Sequence, residues 1–97
     1  MARVVIAEGA RADLDRLFEF LAAEDMRVAR EAIEVILDAL DVLARHPLIG
    51  RPIEKDLREM VISRGKTGYV ALYDFHEAID TVLVLVLRHQ REAGFPE

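Results

Sequence analysis

DTVLVLVLRHQREAGF, residues 80–95, decides how the rest of the chain must be arranged. All six residues at 82–87 are apolar and three are β-branched (Val82, Val84, Val86). That is the length and composition of a strand, and too short for a buried helix. The run predicts the central strand of a sheet. Immediately after it the chain turns polar and cationic through Arg88, His89, Gln90, Arg91 and Glu92. A buried strand therefore delivers a charged cluster to one end of the domain.

Working back from this strand, YVALYDF (residues 69–75) alternates and is rich in aromatic and β-branched residues, which predicts its neighbour, joined to it by a turn at 76–80. LREMVIS (57–63) predicts a further strand, with the polar SRGKTG (63–68) as the turn between them. HPLIGRP (46–52), with Pro47, Gly50 and Pro52, reads as a loop. Two helices precede it. In residues 10–23, Leu14, Leu17, Phe18 and Leu21 fall at i, i+3, i+4, i+7, an amphipathic stripe. A longer helix is expected from a cap at Asp25 to about Arg45, with a core stripe of Ala29, Ile33, Ile36, Leu37, Leu40 and Leu43. Val28, Val35 and Val42 form a second apolar ridge on it, and a helix apolar on two sides has two sides to bury. RVVIA (3–7) opens the chain as a strand ended by Gly9. The order is β-α-α-β-β-β. It implies an α+β domain spanning residues 1–97: an antiparallel sheet of the last three strands flanked by the first, with the N-terminal helical hairpin packed on one face.

Composition narrows the function. There is no Cys, and His46, His76 and His89 are not at metal-ligand spacing, so neither a thiolate metal site nor a cofactor is expected. No apolar run approaches the ~18 residues of a membrane span, and a cytoplasmic, membrane-free protein is expected. The net charge of −5 argues against a chain whose task is to grip nucleic acid, which demands a basic surface. Residues 10–45 hold nine acids against five Arg, whereas residues 58–91 hold five bases against four acids. Acid is concentrated on the helices and base on the later strands.

The helical hairpin, the H-P-x-x-G-x-P loop (LARHPLIGRPI), the strand LREMVIS, the G-Y-x-x-x-Y strand and the run VLRHQREAGF together resemble the RelE/ParE superfamily of toxins from type II toxin-antitoxin systems, the ParE-like plasmid-stabilisation branch in particular. The resemblance implies a small toxin neutralised by a cognate ParD-like antitoxin. It also implies one of two activities: ribosome-dependent cleavage of mRNA, or poisoning of DNA gyrase by binding. Arg58, Arg64, Lys66, Arg88 and Arg91 are the cations available to a shared surface, with His89 the one side chain among them that titrates near neutrality. Phe95 stands where ribonuclease-type relatives often carry a Tyr, and it has no hydroxyl to exchange a proton. With the acidic net charge, this favours the gyrase inhibitor over an enzyme with catalytic residues; a ribonuclease and a non-toxic interaction module are the alternatives.

The expected target-binding residues are accordingly Arg88, His89, Arg91, Arg64 and Lys66. An antitoxin tail laid along the hairpin is expected on Phe20, Met26, Val28, Val35, Asp38 and Val42, its cations meeting acids such as Asp38 and Asp41.

Overall fold

The computed structural model describes residues 1–62 and 68–89. The elements follow the expected order with one addition: β1 (Arg3–Ile6), α1 (Glu8–Ala22), α2 (Met26–Arg45), β2 (Arg51–Glu54), β3 (Leu57–Ile62), β4 (Tyr69–His76) and β5 (Thr81–His89). A 3-10 turn, Glu77–Ile79, links the last two strands and is closed by Asp80 in the left-handed region at φ 49°.

The sheet order is β1-β5-β4-β3-β2. β5 lies inside it, as a run apolar on both faces requires. β1 pairs with β5 in parallel, Arg3 opposite Thr81 through Ile6 opposite Val84, so the sheet is mixed. A chain that leaves a sheet edge through a helical hairpin and returns by way of three antiparallel strands has the directions of its first and last strands set by the path, not by their composition.

The addition is β2, where a loop was expected. Its cause lies in the residues just before it. Tyr73, fully buried, accepts a hydrogen bond from the Gly50 N–H at 2.8 Å and donates its own to the Pro47 carbonyl at 2.8 Å. Arg58 donates to the carbonyls of Leu48 (3.1 Å) and Gly50 (2.8 Å). A Cβ at residue 50 would stand 2.7 Å from the Tyr73 hydroxyl and 3.0 Å from the Glu59 carbonyl, so only glycine permits this approach. The loop is thus tied down beside β3, and Arg51, Pro52 and Glu54 pair with it. Pro52 and a register shift at Ile53 are compatible with an edge strand.

Both helices cover one face. α2 begins at Asp25, whose carboxylate accepts from the Arg27 N–H at 2.9 Å, and ends at His46 before Pro47. Ala10 and Leu17 of α1, and Ala32, Ile36, Leu40 and Leu43 of α2, pack onto Ile62, Tyr69, Ala71, Tyr73, Val82, Val84 and Leu87 of the sheet. Leu37, expected in that stripe, is 43% exposed, and Ile33 is half-buried. The buried stripe runs instead through Ala32, the neighbour of Ile33. At 100° per residue, Met26, Ile33 and Leu37 share one flank of it and Val28, Val35 and Val42 the other.

Candidate functional site

α2 and the start of β4 enclose a groove of about 480 Å³, lined by Val28, Glu31, Ala32, Glu34, Val35, Asp38 and Tyr69. Residues 28, 31, 32, 35 and 38 recur at helical spacing on the flank of α2 facing Tyr69, so valines and alanine form an apolar floor between carboxylates. Three of the expected antitoxin positions, Val28, Val35 and Asp38, come together here. Val42 continues the ridge but lies outside the groove and is half-buried. Phe20 (59%) and Met26 (46%) are exposed, and Met26 stands about 200° around the helix from Val28, on the opposite flank. Glu31 and Glu34 are groove residues that the sequence reading passed over. Their i and i+3 spacing around Ala32 is the signal that could have found them.

Tyr69 forms the far wall, and burial pushes its phenol pKa up. Behind it, opposite in register, sits His89. The imidazole meets the Tyr69 ring edge-on, with centroids 5.2 Å apart, and is 7% exposed. The expected cluster of Arg88 and His89 on one accessible edge is therefore not what forms: Arg88 is exposed and His89 is buried under the helices.

A bulge in β5 produces this split. The pairing runs Tyr73 opposite Val84, then Leu72 opposite Val86, leaving Leu85 without a counterpart. Val82 and Val84 face the helices; an unbroken alternation would have sent Val86 and Arg88 there too. The extra residue reverses the phase, so Leu87 and His89 turn inward and Val86 and Arg88 turn to the uncovered face. The Leu87 N–H, beyond the end of β1, is met by the Asp13 carboxylate of α1 at 3.0 Å. On the uncovered face Arg88 borders a cup of about 100 Å³ with Glu59, Val70, Leu72 and Val86, and Glu59 is ion-paired to Arg51. Arg58, by contrast, faces the helix side and is engaged with the 47–50 loop. Arg64, Lys66, Arg91 and Phe95 lie outside the described residues.

Among the described residues no group of three or more His, Cys, Asp or Glu is placed to hold a metal ion. No helix among them is long and apolar enough to cross a membrane.

This arrangement of hairpin and sheet is shared with known proteins. The family model for the ParE toxin of type II toxin-antitoxin systems, parDE, matches residues 4–94. The chain belongs to the ParE toxin family. This ParE-family chain is 34% identical over 92 residues to Toxin RelE3 of Caulobacter vibrioides, covering 95% of the chain and 98% of the relative. Its fold is similar to the toxin-antitoxin complex RelBE2 from Mycobacterium tuberculosis (TM-score 0.61, 26% identity, 91% of this chain and 96% of the other). It is similar also to the chromosomal ParDE system from P. aeruginosa (TM-score 0.72, 18% identity, 92% and 96%), a likeness of fold alone. The chain is thus a toxin of a type II toxin-antitoxin system with an α+β fold of the RelE/ParE superfamily.

Proposed function

We propose that this toxin acts by binding and inhibiting DNA gyrase, without covalent chemistry of its own, and is held inactive by a cognate antitoxin seated in the acidic groove of α2. The observation that carries the first part is the separation of Arg88 from His89. Cleavage of RNA by general acid-base catalysis needs a proton-transferring group within hydrogen-bond reach of the phosphate that the cations hold. Here the imidazole is turned to the opposite side of the sheet from Arg88 and meets the Tyr69 ring edge-on. Arg88 beside an apolar cup, with Glu59 already bound to Arg51, is instead a surface suited to a protein partner.

The second part is supported by the groove and by the toxin-antitoxin complexes that share the fold. An antitoxin segment with aliphatic residues for Val28 and Val35 and Arg or Lys for Glu31, Glu34 and Asp38 satisfies both its floor and its rim.

The test compares two activities of the purified chain: inhibition of gyrase supercoiling, and cleavage of mRNA on translating ribosomes. Loss of supercoiling with intact mRNA is the expected result. Cleavage at defined codon positions that disappears in Arg88→Ala refutes the gyrase reading.

A further inference from the structure

Three charged side chains come together on the uncovered side of the sheet: Arg51 on β2, Glu59 on β3 and Arg88 on β5. Register sets their spacing. Arg51 is directly opposite Glu59 across the β2–β3 ladder, and the two are ion-paired. Glu59 shares its row with Leu72 and Val86, while Arg88 lies in the next row on that face, with Val61 and Val70. At about 4.8 Å between strands and about 7 Å between such rows, the Glu59 and Arg88 backbones are roughly 12 Å apart. Two long side chains span that distance, and both already line the same cup of about 100 Å³. Glu59 is nonetheless bound on its other side, by Arg51.

The choice of partner has a consequence for Arg88. Directly opposed residues have Cβ atoms about 5 Å apart, so Arg51 takes Glu59 from Arg88 by proximity. Among the described residues Glu59 is the one carboxylate lining the cup, and none is ion-paired with Arg88. The guanidinium therefore keeps its full charge at the rim of an apolar hollow. A Glu59 released by Arg51 is free to reach across the cup and cancel it.

We propose that Arg51 is a positioning residue of the target surface: by engaging Glu59 it leaves Arg88 open to a carboxylate of the protein partner, whose adjoining aliphatic side chain fills the cup. This rests on the reading of Arg88 and its cup as the surface that meets gyrase. The cup itself selects such a segment. Val70, Leu72 and Val86 give it an apolar lining. Its volume is below the ~150 Å³ of a dry cavity that admits benzene, so an aliphatic side chain fits where a nucleobase does not.

Inhibition of gyrase supercoiling by the purified full chain tests this, with each variant shown to be folded by circular dichroism. Arg51→Ala weakens inhibition about tenfold, the loss of one carboxylate–guanidinium contact, although Arg51 itself meets no partner. Arg51→Lys, which keeps a cation opposite Glu59, retains it. Arg51→Ala combined with Glu59→Gln regains it, because the amide has no charge to set against that of Arg88. A second measurement needs no target. Double-mutant cycles of Glu59→Gln and Arg88→Gln in urea denaturation show no coupling in the parent, and a coupling of about two- to fivefold in the unfolding constant once Arg51 is replaced by Ala. Inhibition unchanged in Arg51→Ala but lost in Arg88→Ala overturns the proposal and leaves the target surface standing, as does a loss in Arg51→Ala that Glu59→Gln does not repair. Inhibition undiminished in Arg88→Ala overturns that surface and this proposal together. Absence of Glu59–Arg88 coupling in the Arg51→Ala background overturns the proposal whatever the target is.

Discussion

Replacing Tyr73 by Phe removes one oxygen atom from the centre of the fold, and the structure sets the size of the effect. The hydroxyl bonds the Gly50 N–H and the Pro47 carbonyl, both at 2.8 Å, on a side chain with no exposure to water. Phe keeps the ring packing and leaves the amide and the carbonyl without their partner. A buried group so stranded costs about 1–3 kcal/mol, and Arg58, which holds only carbonyls of this loop, cannot receive the N–H. We expect a loss of about 2 kcal/mol in urea denaturation, or a Tm lower by about 10 °C for a domain of this length. The pH dependence separates this cause from general loosening. Burial raises the Tyr73 pKa above its ordinary 10, with the Gly50 N–H and Arg58 lowering it in smaller measure. A phenol whose folded pKa is raised contributes stability that is complete below pH ~10 and is lost as pH climbs through the folded value. The gap between parent and Tyr73→Phe should therefore be constant from neutral pH to about 10 and narrow above it. A loss below about 0.5 kcal/mol, typical of an exposed site, would refute the assignment of this hydroxyl as the tie that places β2.

Three further outcomes follow from particular contacts. Asp13→Ala strands the Leu87 N–H and should cost about 1–2 kcal/mol in chemical denaturation, whereas Asp13→Asn, which keeps an acceptor oxygen, should recover most of it. Arg88→Ala should leave Tm nearly unchanged while reducing growth arrest; His89→Ala should lower Tm through the lost contact with Tyr69, and equal, negligible shifts in both would contradict the inward turn of His89. Val28→Asp and Val35→Asp should weaken antitoxin binding at least tenfold in titration calorimetry, with Met26→Ala, on the other flank of α2, changing it least.

Much of this protein was legible in its residues. Helix periodicity, the Asp25 cap, the stop at His46-Pro47 and the alternation of YVALYDF each act over a few residues, and local chemistry is enough to read them. The placing of Val28, Val35 and Asp38 on one flank of α2 is legible for the same reason, since helical spacing alone brings those residues together. Three features depended on partners distant in the chain. The loop 46–52 ends in a strand because Arg58 of β3 and Tyr73 of β4, 8 and 23 residues beyond Gly50, hold its backbone beside β3. The first strand runs parallel to the last because of the path between them. The sides taken by Arg88 and His89 depend on the bulge at Leu85, and nothing within VLVLVL marks it, because a run apolar at every position satisfies either phase equally well. Only the pairing with β4, and the Asp13 carboxylate waiting for the Leu87 N–H, decided which of the two turned to the open face.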